Sequence, residues 1–353
     1  LNHYYFISVL SFLMIFLPAN ASFSIDNFIS RKTYTLIPKW NIDAIKLLIS
    51  IVYIYAGIAK INSDWLLYAE PLKTWLLGKY DYSIFSYFFS KNWVHYLFSW
   101  FGLFYDLTIP FLLLYHRTRL LGFILVVVFH VMTKILFPIG MFPYIMIVAS
   151  IIFFSPFFHD KIINSMNWII EKVLRYFSFN NYVVKQYHVV DEYDVKFLKP
   201  TLFVISLFIV FQLLFPFRYL LYPGDILWHE QGYRYSWRVM LIEKTGLATF
   251  KIANSDNKDE FFIFDNHEKY LTTRQIKQMS FQPDFILEYA HFLGEIFSDE
   301  FNGNISVYCN SEVKLNHRYR QKLVNDTVDL LQQSRSFKHK KWVLPVSDEN
   351  KNL

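Results

Sequence analysis

From Arg119 to Phe158 the chain is almost continuously apolar, interrupted by Lys134 and by the triplet Pro138-Ile139-Gly140. A run of that length limits the fold more than any other feature. Inside a bilayer every backbone N–H and C=O must find its partner within the chain, so such a segment can only be helical or part of a closed barrel. Runs of about 17–25 apolar residues, the length that spans a hydrocarbon core as helix, recur near 4–20, 43–61, 97–115, 119–137, 139–158 and 198–220. The expectation is a membrane α-helical bundle of about six spans. The Pro138-Ile139-Gly140 break predicts a tight turn between two helices, or a re-entrant feature lining a cavity.

Composition agrees. Hydrophobic residues make up 54% of the 353 and charged residues only 18%, with a mean hydropathy of +0.23. Soluble domains carry about 25% charged residues, so a soluble enzyme and a disordered chain are both excluded. The net charge of +6 is unevenly spread. Through Pro223 there are 18 Lys and Arg against 11 Asp and Glu; from Gly224 onward there are 17 against 18. All the excess positive charge therefore belongs to the apolar half, which suits juxtamembrane loops and not a nucleic-acid groove. Arg31, Lys32 and Lys39, then Arg117 and Arg119, then Lys161, Lys172, Arg175, Lys185 and Lys196 fall in three loops on one side, which the positive-inside rule makes cytoplasmic. The 62–96 loop and everything beyond 220 are then extracytoplasmic, periplasmic or lumenal according to the cell.

Beyond Pro223 the pattern changes. Ala248–Ala253 and Phe261–Phe264 flank the polar turn Asn254-Ser255-Asp256-Asn257 and read as a hairpin, Thr272–Phe297 has helical spacing, and Asn304–Asn310 reads as a strand. The expected domains are a polytopic transmembrane domain over 1–223, a small α+β extramembrane domain over 224–346, and a polar tail over 347–353. Cys309 is the single cysteine, so no intrachain disulfide is possible. The apolar run that starts within a few residues of Leu1, without a signal-peptide pattern, suggests a truncated start with further spans upstream.

Three polar positions in apolar surroundings carry chemical interest. Lys60 ends the run Ile51-Val52-Tyr53-Ile54-Tyr55-Ala56-Gly57-Ile58-Ala59, just before Asn62-Ser63-Asp64-Trp65. It reads either as a snorkelling lysine with its ammonium in water or as a desolvated lysine that acts as a general base. His130 sits in mid-span, where an ionisable side chain is costly and points to function, against the plainer reading of a neutral histidine hydrogen-bonded to a neighbouring helix. Asn2-His3 precedes an apolar run and could equally be a polar pair at a helix start. No HxxxH, HExxH or CxxC spacing occurs, so a metal site has no support in the sequence. The 38 Phe, 25 Tyr and 9 Trp suit lipid contact, an interface belt or a pocket for a large flat lipid.

These residues, taken in order, resemble the vitamin K-dependent gamma-glutamyl carboxylase family in its bacterial form, with the horizontally transferred transmembrane domain. The resemblance rests on Asn2-His3-Tyr4, Pro38-Lys39-Trp40-Asn41, Tyr55–Lys60 with Ile61–Trp65, Phe129-His130-Val131-Met132 and Phe137–Tyr144. It continues through Tyr222-Pro223-Gly224, Gly232–Met240 and Trp342-Val343-Leu344-Pro345, nearly the whole chain.

The resemblance implies a membrane lyase. A lysine at the position of Lys60 deprotonates vitamin K hydroquinone, O2 adds, and the rearranged alkoxide removes a proton from the γ-carbon of a glutamate. The carbanion takes up CO2, and the quinol leaves as its 2,3-epoxide. A base must start neutral, and low-dielectric surroundings favour an uncharged amine; a dry pocket also protects a strong base from water. By resemblance, Asn2 and His3 hold the oxygenated quinol and His130 is a further polar contact to the ring. Phe142 and Met146 line the quinone pocket, and Tyr233, Trp237 and Met240 lie where glutamate enters. The implied partners are the bilayer, the quinol and a glutamate-containing protein or peptide, with no metal and no nucleic acid. Animal members join their membrane and lumenal parts by a disulfide and extend further to bind a propeptide; Cys309 alone cannot form the first. Two alternatives stand beside this reading: a quinol epoxidase that does not carboxylate protein, and a non-enzymatic transporter or scaffold. A transporter would usually show internal repeats and paired broken helices, and neither is visible.

Overall fold

The computed structural model describes residues 2–22, 24–78, 86–176, 188–192, 196–257, 259–301 and 303–347. Lys185 and most of the polar tail lie outside them. Along the chain, α1 (Asn2–Ile15) stops before Pro18, which offers no N–H to continue it. A capping box between Ser24 and Asn27 starts α2 (Ile25–Ser30). Strand β1 (Lys32–Leu36) is followed by α3 (Lys39–Ala59), and Asn62 caps α4 (Ser63–Tyr68) by accepting from the Trp65 N–H. The short α5 (Leu72–Leu77) and α6 (Ser86–Phe89) lead into α7 (Asn92–Leu114) and α8 (Arg119–Leu136). Gly140, at φ 66°, makes the turn into α9 (Phe142–Ser150), so the Pro-Ile-Gly break is a helix-to-helix turn, the first of the two readings its composition allowed. Then come α10 (Pro156–Tyr176), β2 (His188–Glu192), α11 (Leu198–Leu214) and α12 (Ile226–His229). The remaining elements are β3 (Lys244–Asn254), β4 (Phe261–Phe264), α13 (Thr273–Met279), α14 (Pro283–Ile296), β5 (Ile305–Leu315) and β6 (Gln321–Lys322).

The expectation of six spans is reduced. Among the described residues four helices are long and apolar enough to cross a membrane: Lys39–Ala59, Asn92–Leu114, Arg119–Leu136 and Leu198–Leu221. A fifth crossing requires Phe142–Phe153 and Pro156–Ile170 to count as one span, although they bend by 114°. The 14 residues of α1 rise about 21 Å, short of the roughly 30 Å of a hydrocarbon core.

The chain forms two compact units: Leu1–Ile58 with Phe104–Phe215, and Ala59–Leu103 with Pro216–Leu353. In the first, helices approach closely at small residues. A Cβ on Gly57 would come within 2.6 Å of the Leu107 side chain, and one on Gly122 within 3.1 Å of Leu112; backbones meet at such positions because dispersion contacts hold helices together in lipid. The Tyr5 hydroxyl donates to Gln212 Oε1 at 2.9 Å and ties α1 to α11. No local pattern signals the parallel pairing of β1 with β2.

The second unit contains a four-stranded antiparallel sheet in the order β4-β3-β5-β6. The expected hairpin is there, with Phe250 opposite Phe264, and the expected strand at 304–310 extends to Leu315. Alternate residues Cys309, Ser311, Val313 and Leu315 are buried, as are Phe250 and Ile252, so one sheet face is covered. The cover is α14, through Ile286, Leu287, Ala290 and Leu293. The single helix expected over Thr272–Phe297 is instead two, α13 and α14. Pro283 has no N–H and restricts Gln282 before it, which ends one helix and suits the first position of the next.

His229, at the end of α12, gives this unit an acid limit. Its Nδ1 accepts from the Gln231 N–H at 3.0 Å, so the neutral ring carries its proton on Nε2. Burial first, then the nearby His339, Lys244 and Lys340, pull its pKa down to about 4. The unfolded chain takes that proton near 6.5, so the contribution to stability is intact above about pH 6.5 and is lost as pH falls toward 4. Thermal unfolding followed by tryptophan fluorescence should show the midpoint dropping across that window, and His229→Gln should make the drop shallower.

Candidate active site

His130 lies on the buried stripe of α8 with Gly122, Val126 and Thr133, spaced three and four residues apart. Its Nδ1 hydrogen-bonds the Val126 carbonyl at 3.0 Å and stands 3.4 Å from the Tyr105 hydroxyl. A carbonyl can only accept, so in the neutral ring Nδ1 carries the proton and Nε2 keeps a lone pair for another donor. Aromatic rings surround it: Tyr53 edge-on at 6.2 Å, Phe129 at 5.4 Å and Phe142 at 6.5 Å, with Tyr105 stacked on Phe129. Met146, one turn along α9 from Phe142, is fully buried.

The turn between α8 and α9 is met from another side by His3, whose Cε1 lies 3.9 Å from where a Gly140 side chain would begin. Lys134 Nζ donates to the Gly140 carbonyl at 3.1 Å and fixes the same turn. The first unit thus brings His3, with Asn2 beside it on α1, His130, Phe142 and Met146 to the two flanks of one turn. Of the residues around His130, sequence reasoning missed Tyr53 and Tyr105. The signal for Tyr53 was available, since it stands two helical turns before Lys60 on a continuous apolar run.

Lys60 belongs to the second unit, at the C-terminal end of α3, and is 6% exposed, so it does not snorkel into water. Its Nζ lies 5.3 Å from the centroid of the Trp65 ring. Trp65 is fixed in turn, its indole N–H donating to the Ser99 carbonyl at 2.8 Å. Gly102 of α7 lies against both: a Cβ there would be in ordinary van der Waals contact, 3.5 Å from the indole and 3.9 Å from Lys60 Cε. The chain following Lys60 is anchored as well. Asn62 donates to the Ala59 carbonyl and caps α4, and Asp64 in the first turn of α4 takes an ion pair from Arg318 Nη1 at 2.5 Å and a hydrogen bond from Asn316 Nδ2 at 2.8 Å. Arg318 also reaches Asp225 at 3.5 Å, and nearby Lys244 pairs with Glu230 and donates to the Trp228 carbonyl, each at 2.7 Å. Neither Asp64 nor Arg318 looks unusual in sequence; only folding brings them together across 254 positions.

The segment Gly232–Met240 is the most strained backbone in this unit. Tyr235, Trp237 and Met240 all adopt left-handed φ values near 60°, which cost a side-chain-bearing residue energy and cluster at functional sites. Gly232, at φ 78°, lies so close to Tyr219 that a Cβ would come within 2.6 Å of its Cα. Trp237 is fully buried, Tyr233 half-buried with its hydroxyl pKa pushed up by burial and by the Glu230 charge, and Arg238 covers the Tyr219 ring at 4.4 Å. Among the described residues no group of three or more His, Cys, Asp or Glu could hold a metal ion.

Two family models match the chain. One, for the HTTM domain, covers residues 1–157, and the other, for the lumenal domain of vitamin K-dependent gamma-carboxylase, covers 198–349. The chain belongs to the vitamin K-dependent gamma-carboxylase family. Between them the two matches leave only 158–197 and the last four residues outside. No solved structure matches the chain. The four-stranded sheet falls within the lumenal-domain match, and α1 to α9 fall within the HTTM match.

The buried Asp64–Arg318 pair generates a stability prediction. Removing the guanidinium leaves a carboxylate uncompensated in a dry site, at a cost of about 3–5 kcal/mol. Arg318→Ala should lower the thermal midpoint of the detergent-solubilised protein by several degrees. Asp64→Asn, which keeps the side-chain volume and removes the charge, should lower it less.

Proposed function

We propose that this protein is an integral membrane carboxylase that couples conversion of vitamin K hydroquinone to its 2,3-epoxide with carboxylation of glutamate. The overall reaction takes quinol, O2, CO2 and a glutamate γ-C–H to epoxide, water and γ-carboxyglutamate, releasing a proton. The observation that carries the reading is Lys60: a lysine buried at the end of an apolar helix, flanked by an indole, and anchored on its following turn by Asn62 and Asp64.

Each group has a role its chemistry permits. Lys60 Nζ takes the proton from a quinol hydroxyl. His130 offers Nε2 as an acceptor to a ring hydroxyl, a polarity set by the Val126 carbonyl on its other nitrogen. Asn2 and His3 supply further hydrogen bonds to ring oxygens, and Phe142 and Met146 provide the flat and the deformable apolar surfaces that a naphthoquinol needs. Tyr233, Trp237 and Met240 bound the approach of the glutamate side chain. The lumenal-type domain lies on the extracytoplasmic side, as the charges of the loops imply. The loop after Lys60 fits this placement, because Asp64 and Trp75 bond to Arg318 and Glu243 and so share a side with that domain.

The test supplies membranes containing the protein with vitamin K hydroquinone, O2, labelled bicarbonate and a glutamate peptide. Epoxide and fixed label should appear together. Lys60→Ala should lower epoxide formation by about 10²–10⁴-fold, the usual contribution of a positioned base, and should remove label in proportion. His130→Ala should lower both less steeply. Epoxide without fixed label would assign the protein to quinol oxygenation alone, and absence of both would return it to the class of non-enzymatic membrane proteins.

A further inference from the structure

All of α10 (Pro156–Tyr176) beyond its first two residues lies outside both family matches, and the reaction proposed at Lys60 gives it no role. Its sequence is sharply two-sided. Phe158, Ile162, Met166, Ile169, Ile170 and Val173 recur at three- and four-residue intervals on one arc, while Asp160, Asn164 and Asn167 occupy the opposite one. Ile162, Met166, Ile169, Ile170 and Val173 are all exposed, Met166 to 54%. Lys161 and Lys172, three turns apart, stand on one edge of the polar arc with Trp168 between them, and Lys172 Nζ lies 5.0 Å from the centroid of the Trp168 ring.

The direction of the helix identifies what covers that arc. Phe142–Phe153 and Pro156–Ile170 meet at 114°. The first segment presents exposed Tyr144 and Val148 on its outer side, a surface suited to lipid tails. A helix turned nearly at right angles from a segment that enters the bilayer runs along the membrane surface. With a wide apolar arc, a polar arc and low overall hydrophobicity, it meets the description of a helix lying in the headgroup layer. Tryptophan and lysine together at the edge of the polar arc are the side chains that settle at that depth, indole at the headgroups and ammonium toward phosphate. Arg117 just before α8, Arg119 at its first position, Lys196 just before α11 and Lys199 in its first turn add positive charge, which favours anionic lipid.

We propose that α10 is an interfacial anchor that lies in the headgroup layer of an anionic leaflet, with Ile162, Met166, Ile169, Ile170 and Val173 in the upper acyl region and Lys161 and Lys172 at the phosphates. This assignment is independent of the chemistry at Lys60. It makes the part of the chain that links the two family regions a membrane-surface element sensitive to lipid charge.

The test uses the whole protein in vesicles of phosphatidylcholine with one third phosphatidylglycerol. Single cysteines at Ile169, Met166 and, as the polar control, Asn164 carry an environment-sensitive fluorophore; native Cys309 is buried in β5, where burial also pushes its thiol pKa up. The fluorophore at Ile169 and Met166 should be quenched most by lipids bearing a nitroxide high on the acyl chain, and the one at Asn164 most by aqueous iodide. Lys161→Gln with Lys172→Gln, or vesicles of phosphatidylcholine alone, should weaken the lipid quenching at Ile169 at least twofold. Strongest quenching by a nitroxide at the bilayer centre would make α10 part of a span and overturn the proposal. So would protection of Ile169 and Met166 from both lipid and aqueous quenchers, which would mean that protein covers the arc. Quenching unchanged by the lysine variants and by lipid charge would overturn the anionic preference.

Discussion

A buried ion pair between Asp64 and Arg318 holds together the part of the molecule that carries its most unusual residue. Two charges removed from water are costly, and they persist only when each meets the other and its remaining hydrogen-bonding groups are occupied. Here Asn316 shares the carboxylate and Asp225 the guanidinium. The consequence is mechanical. Asp64 lies in the first turn of α4, four residues after Lys60, and Arg318 follows the last long strand of the sheet. The sheet-bearing part of the second unit therefore grips the segment that carries the lysine. With Cys309 the single cysteine of the sequence and buried, the loop after α3 is tied to the sheet-bearing domain by this charged clamp.

The two regions of chemical interest are built by different means. The surroundings of His130 are aromatic and local to the helices: a carbonyl one turn back sets the tautomer, and Tyr53, Tyr105, Phe129 and Phe142 exclude water. Such a site needs close packing of helices, which Gly57 and Gly122 permit. The surroundings of Lys60 are instead held by Asn62, which bonds back to Ala59, and by Trp65 and Asp64, fastened to the more distant Ser99 and Arg318. A lysine has four rotatable bonds, so an amine meant to act at one place must be confined by its neighbours. Gly102, where α7 passes beside both Lys60 and Trp65, supplies part of that confinement.

The strained Gly232–Met240 segment belongs to the same logic. Three side-chain-bearing residues in left-handed conformations within six positions would relax unless the surrounding fold prevented it. The buried Trp237, the Arg238–Tyr219 stack and the tight approach of Gly232 to Tyr219 prevent it. A rigid loop of this kind can hold Tyr233 and Met240 in fixed positions without a ligand to order them.

What the sequence determined by itself was whatever depends on local pattern. Apolar length marked the helices, period-two alternation marked the hairpin, and a Pro-Ile-Gly triplet marked a turn. The ordered match of short motifs also pointed to the family, because such spacing survives where overall composition does not. Sequence alone overestimated the spans, because length and hydropathy do not reveal that Phe142–Phe153 and Pro156–Ile170 meet at 114°. It merged α13 with α14 by weighing periodicity over the missing N–H of Pro283. Only the tertiary structure decided that Lys60 is buried and not snorkelling, that Tyr53 and Tyr105 stand by His130, and that Arg318 reaches back to Asp64. Those facts rest on contacts between residues far apart in the chain, and no local rule of spacing or hydropathy encodes which distant side chain will arrive.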